Sequence, residues 1–203
     1  MSGVLYSEKK IAIFNGIIAL MERGINPYSI KVSDIAQAAD VGKGTIYDYF
    51  TSKEEAISQA ILYKIDNEVE AAYSRIKKKK GFKEKFYEGL HIIAECMDDK
   101  MSTLRMLLSL GGLQEFYEYL REYKCDLSNH LLKIHELFDH LLEIGMEEGI
   151  IVDKVGDTYY RNMVISSVII GFTQYFHQIN FNSEVNIEDA MEAAYRLLIK
   201  ALN

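Results

Sequence analysis

Apolar residues recur at helical spacing along most of the chain. Ile11, Phe14, Ile17, Ile18 and Met21 follow the i, i+3, i+4, i+7 rule of an amphipathic helix. Gly24, suited to the left-handed conformation just past a helix end, closes that pattern, and Pro27 follows. Short helices are predicted from Val32 to Ala39 and from Lys43 to Phe50. Between them lies the turn Asp40-Val41-Gly42, with Gly42 expected to make the bend. Ser52 and Glu55 have the spacing of a capping box, in which serine accepts from a free backbone amide and glutamate reaches back to another. They open a long helix that ends at Lys77-Lys78-Lys79-Lys80-Gly81, where a solvated lysine run suits the negative end of the helix dipole. Helical patterning resumes after Gly81 and again after Gly111-Gly112, where Leu113 to Gly149 reads as a long, kinked segment. A further helix is expected from near Asp157 to about Ile179. The last is defined by one stripe: Ile187, Ala190, Met191, Ala194, Tyr195, Leu198 and Leu202.

No stretch alternates apolar and polar residues as a strand does, and the chain of 203 residues holds a single proline. Proline lacks the amide donor and clashes with the preceding helical turn, so its scarcity favours an all-α chain. Three short helices, a long fourth and a bundle of five or six helices account for the pattern. The first ten residues carry no apolar signal core. The longest apolar stretch, Met163–Phe172, falls short of the roughly 20 residues needed to cross a bilayer. Cys96 and Cys125 are too few and too scattered for a disulfide framework and read as free thiols. A cytoplasmic protein without membrane contact is expected.

Charge changes the picture in one respect. The net charge is −7, and residues 1–60, with six basic and seven acidic side chains, contribute −1 of it. That balance argues against a chain that coats nucleic acid indiscriminately, and it lacks the basic footprint usual in a DNA reader. Any DNA binding has to come from a local patch with good geometry, and it should be sensitive to salt.

The informative stretch runs from Ile35 to Phe50 and on to Ser52-Lys53-Glu54-Glu55. Small Ala36 and Ala39 allow two helices to cross closely, while Ile35, Val41, Ile46 and Phe50 form an apolar interior. This is the logic of a helix-turn-helix, whose second helix enters the major groove with its early residues at base edges. Gly44, near the start of that helix, costs on the order of 1 kcal/mol in helix propensity. Close backbone approach to a duplex accounts for tolerating it.

The run Val41-Gly42-Lys43-Gly44-Thr45-Ile46-Tyr47, with Tyr49-Phe50 and Ser52-Lys53-Glu54-Glu55 after it and Asp34-Ile35-Ala36 before it, closely resembles the tetracycline-repressor (TetR) family of regulators. The resemblance covers roughly residues 9–58. It implies an N-terminal helix-turn-helix DNA-binding domain, residues 1–52, and a C-terminal helical bundle, residues 53–203, that binds a ligand and dimerises. It further implies a ligand-released repressor that binds a pseudo-palindromic double-stranded DNA operator as a homodimer. Position by position, Lys43, Gly44 and Thr45 would face the bases, and Tyr47, Tyr49 and Lys53 would contact phosphate. Lys31 stands where the family commonly has a capping threonine; Ser29 or Ser33 is the substitute, and Lys31 and Ser33 join the candidate DNA contacts. Asp48 places an acid inside the recognition helix, where it either accepts from a cytosine amino group or points away; pointing away is the favoured expectation.

Met163–Phe172 is apolar nearly all round and must be buried on every side if helical. With the final helix it resembles the family's two-helix contribution to a dimer interface. The middle helices are rich in Met, Phe and Tyr, which suit both an ordinary core and an apolar pocket for a small-molecule effector. The candidate lining is Phe86, Met97, Met106, Phe116, Tyr123, Phe138 and Met163. His130, His135 and His140 are five apart and share no helical face, so no metal site is expected. No cofactor is expected either. Phosphate-binding glycine loops, nucleophile elbows and metalloprotease motifs are absent, and the chain does not read as an enzyme.

Overall fold

A computed structural model of the chain describes residues 6–98, 128–152, 156–178 and 185–203. Among these the chain forms eight α-helices, one 3-10 turn and no strand. They pack as two compact units, one built from residues 6–67 and one from the described residues after 67, apart from the start of the sixth helix.

In the first unit, α1 (Glu8–Glu22) starts at Ser7, whose hydroxyl accepts from the Lys10 amide, and ends at Arg23. Gly24 then takes φ +82°, and the Gly24 and Ile25 amides return to the Met21 and Leu20 carbonyls. These are the two hydrogen bonds of a Schellman cap. α2 (Val32–Ala38) ends in the same way, but its left-handed residue is Asp40, at φ +52°. The Val41 amide donates to Ala36 O at 3.0 Å. Gly42 has an ordinary φ of −72° and serves as the N-cap of α3 (Lys43–Tyr49). The bend therefore belongs to Asp40 rather than Gly42, because aspartate tolerates the left-handed region and the hydrogen bonds require it two residues past the last helical one.

The expected serine substitutes at the start of α2 are engaged elsewhere. Ser29 Oγ donates to Asn26 O at 2.8 Å, and Ser33 Oγ donates to Asp34 Oδ1 at 3.3 Å. Lysine has no acceptor to offer as N-cap. What remains is the returning half of a capping box: Asp34 Oδ2 accepts from the Lys31 amide at 3.2 Å.

Ile13, Phe14 and Ile17 of α1, Ile35 of α2, Ile46 of α3 and Ala56 and Ala60 of α4 (Lys53–Lys77) are all completely buried in this unit. Val41 is only half-buried. The close helix crossing made by small residues lies between α1 and α2. A Cβ on Gly16 would sit 2.9 Å from the Ala39 nitrogen and 3.1 Å from Ala39 Cβ.

The second unit takes α4 from Glu68 onward, α5 (Gly81–Asp98), α6 (Ser128–Glu147), α7 (Thr158–Gln178) and α8 (Ile187–Leu202). α7 packs along α8, and α5 touches both. Phe82, Phe86 and Leu90 meet Val168 and Phe172 of α7 and Met191 and Leu198 of α8 in one core. Lys85, buried on α5, donates to Lys77 O at 3.3 Å, a carbonyl at the end of α4, and at 3.1 Å to Ile76 O, which also accepts from the Lys79 amide. From the lysine run, Lys79 pairs with Glu88 at 3.0 Å, and Glu88 also meets Arg75 at 2.8 Å. The part of the expected 113–149 segment before Ser128 lies outside the described residues. No helix among the described residues is long and apolar enough to cross a membrane.

Gly16→Ala should lower the melting temperature measured by circular dichroism. The Cβ collides with backbone, a strain on the order of 1–3 kcal/mol, which outweighs a helix-propensity gain of up to about 1 kcal/mol. An unchanged or raised melting temperature would contradict the close crossing.

Candidate nucleic-acid interface and apolar cavity

Complete burial of Ile46 sets the rotation of α3. At about 100° per residue, Gly44 and Asp48 lie opposite Ile46, and Thr45 and Tyr47 lie on the two flanks. Exposure follows this arrangement. Lys43, Gly44 and Asp48 are exposed, Thr45 is half-buried, and Tyr47 is 56% exposed. Tyr49 is 36% exposed, beside the Phe50 ring at 6.4 Å. Asp48 is thus on the outward face, one turn from Gly44, and not turned away from it. A Cβ on Gly44 would meet nothing within 4 Å.

The remaining sequence candidates lie at the starts of α2 and α4. Lys31 is exposed, while Ser33 is half-buried with its hydroxyl committed to Asp34. Lys53 is half-buried, its ammonium 3.4 Å from Glu54. Ser52 Oγ accepts from the Glu55 amide at 3.0 Å, as the capping box requires. Its reciprocal half is displaced by one residue. Glu55 accepts from the Thr51 amide and hydroxyl, each at 2.6 Å, and from Gln59 at 2.9 Å. Hydrogen bonding from Thr51 holds the Glu55 carboxyl below its ordinary value, with the nearby Lys10 charge a smaller contribution. Lys10 Nζ also lies 5.1 Å from the centre of the buried Phe50 ring, a cation–π contact that ties α1 to the end of α3. Thr51 and Lys10 were not among the sequence candidates; their positions flanking the capping box and the aromatic α1 stripe are the only local signal. The resulting surface offers two exposed cations, three hydroxyls and an unobstructed stretch of helix backbone, which suits hydrogen bonding to phosphates and base edges.

In the second unit, an apolar cavity of about 110 Å³ lies between the end of α4, α5 and α6. Its walls are Val69, Ala72, Ile76, Gly89, Ile92, Ile93, Ile134, Leu137, Phe138 and Leu141, with no polar side chain among them. Of the described pocket candidates, Phe138 lines this space. Phe86 is packed in the core, its ring 6.0 Å from Phe82, and Met97 is buried. Met163 is 46% exposed on α7. Met106, Phe116 and Tyr123 lie outside the described residues. A groove of about 320 Å³ runs between α7 and α8, lined by Val168, Gly171, Phe172, Tyr175, Ala193 and Leu197 among others. Its rim carries exposed Leu197, and a Cβ on Gly171 would meet nothing within 4 Å. Among the described residues no group of three or more His, Cys, Asp or Glu is placed to hold a metal.

Residues 19–60, from within α1 to within α4, match the family model of bacterial regulatory proteins of the tetR family. The N-terminal unit is a tetR-family domain. The match holds α2, α3 and every candidate on the exposed face just described. The TetR-like fold extends over nearly the whole chain in solved structures. FadR from Bacillus halodurans, a fatty acid degradation regulator, superposes with a TM-score of 0.64 at 20% identity, covering 97% of both chains. FadR from Bacillus subtilis, in complex with stearoyl-CoA, gives 0.57 at 21% identity, over 95% of this chain and 97% of its own. A TetR family transcription regulator from Marinobacter aquaeolei gives 0.53 at 20% identity, over 96% and 95%. These likenesses establish the fold. Among curated proteins no sequence relative matches.

The lowered Glu55 value makes the TetR-family unit sensitive to acid with a definite sign. Its contribution is present above the ordinary carboxyl value of 4.5 and is lost as pH falls through the lowered folded value. In thermal melts, the stability difference between wild type and Glu55→Gln should shrink as the pH is lowered through that window. Parallel pH profiles would contradict the Thr51 anchor.

Proposed function

We propose that the chain is a sequence-specific DNA-binding transcriptional regulator, a cytoplasmic homodimer that holds a pseudo-palindromic operator and releases it when a small molecule binds. Residues 1–52 read DNA, and residues 53–203 carry the effector site and the dimer contact. The observation that carries this reading is Gly44. A glycine inside a helix that faces open space has no purpose in the chain's own packing, so it is best accounted for by a partner that approaches the backbone closely. Its neighbours suit DNA as that partner. Thr45 and Lys43 face the bases, while Tyr47, Tyr49, Lys53 and Lys31 position the phosphates; Ser33 joins them only if its hydroxyl leaves Asp34. Gly171 supports dimerisation through α7 and α8 by the same reasoning, since it too is a helical glycine in open space, beside an apolar groove. Two copies are needed if two recognition helices are to reach half-sites one or more helical turns apart.

For the effector, the wholly apolar cavity beside Phe138 favours an apolar group; at about 110 Å³ it takes only the end of an aliphatic chain such as that of the stearoyl-CoA bound by a structural neighbour, and the helices must part to admit the rest. Release follows only if the effector binds the DNA-competent arrangement less tightly than another. No step in this scheme is catalytic.

Gly44→Ala should raise thermal stability by up to about 1 kcal/mol and at the same time weaken operator binding, read by fluorescence anisotropy. Unchanged binding would reject close backbone contact at α3. Tyr47→Phe should weaken binding evenly across DNA sequences, whereas Thr45→Ala should alter sequence preference.

A long-chain fatty acyl-CoA should release wild-type protein from its operator, and Ala72→Leu, which fills the cavity, should make the complex resistant to it. Equal release from both proteins would place the effector elsewhere.

A further inference from the structure

We infer that Asp48 selects cytosine at one position of each half-site, accepting a hydrogen bond from the exocyclic amino group in the major groove. The inference rests on the DNA-reading role of α3 proposed above and assigns part of its specificity to one residue. Asp48 lies on the outward stripe of α3 with Gly44, between the flanks that carry Thr45 and Tyr47. Among the described residues its carboxylate has no hydrogen bond or ion pair, so the fold gives it no task. A carboxylate brought into a groove is repelled by the phosphates, and residues 1–60 carry no excess of positive charge to offset this. It is tolerated only where a base presents a donor.

The four bases differ in what they present. Guanine shows two acceptors and thymine shows one, and both repel a carboxylate. Adenine shows an amino donor next to the N7 acceptor, so one contact is gained against one repulsion. Cytosine shows its amino donor without an adjoining acceptor. Aspartate is short and reaches that edge only if the helix axis lies deep in the groove. The bare backbone at Gly44, one turn earlier on the same stripe, permits that depth. Asp48 therefore acts by exclusion as much as by attraction, weakening binding wherever cytosine is replaced.

The test is selection of bound duplexes from a randomised pool by the full-length protein, by Asp48→Ala and by Asp48→Asn. Affinities for the selected site and its single-base variants are then measured across a salt series. Wild type should fix a cytosine in each half-site and lose roughly tenfold in affinity when that base is changed. Asp48→Ala should lose the preference at that position alone and bind unrelated DNA more tightly, because a negative charge has gone. Asp48→Asn should shift the preference towards adenine, whose N6 and N7 match an amide. If both variants keep the wild-type preference at every position, or lose affinity evenly for all sequences, the assignment of Asp48 is wrong while the DNA-reading role stands. If the wild type enriches no site, the DNA-reading role fails and this inference with it.

Discussion

The approach of α2 to α1 at Gly16 is the contact on which the N-terminal unit depends. Backbone and Cβ of Ala39 lie where any side chain on Gly16 would stand. α2 can be seated this closely only because the small pair leaves room. Immediately after Ala39, Asp40 takes the left-handed conformation and the chain turns into α3. The rotation of α3, and hence the identity of its outward face, follows from Ile46 entering the core that α1 and α2 have already formed. Phe50, buried at the exit of α3 with Lys10 against its ring, fixes the other end.

Among the described residues, Gly89 of α5 meets only Ile76, at an ordinary 3.8 Å, and four other helical glycines divide by what surrounds them. Gly16 faces Ala39, and Gly145 faces Ile151 and Phe82, each at distances where a Cβ would force movement. The packing of the chain itself accounts for both. Gly44 and Gly171 face nothing within 4 Å, although each weakens its helix relative to alanine. One lies on the exposed face of α3 and the other beside the apolar groove of α7 and α8. Gly44 and Gly171, the helical glycines with nothing in reach, therefore fall on the two surfaces proposed to meet DNA and a second copy.

Most of the helices were legible in the sequence because their signals are local: a 3.6-residue apolar period, the Ser52 start of α4, a glycine at the end. α1 with its apolar period and Gly24, and α8 with its single stripe, follow from such signals alone. The finer assignments were not legible because they depend on hydrogen-bond register or on distant packing. Glycine preference points to Gly42 as the bend, while the Schellman bonds place it at Asp40. Capping spacing points Glu55 back to Ser52, while its carboxylate reaches Thr51. Phe86 and Phe138 look alike in sequence, both aromatic on amphipathic helices. Which one faces a void is decided by the helices packed against them, and it is Phe138. For the exposed face of α3 the motif named the residues, and the structure adds the geometry that puts Asp48 beside Gly44.

Whether this exposed face reads DNA is decided by recovery of bound fragments from the source genome by the purified protein at moderate salt. A DNA-reading face should enrich a pseudo-palindromic site whose occupancy falls steeply as salt is raised. A folded protein that enriches no fragment, even as the salt is lowered, would contradict that role.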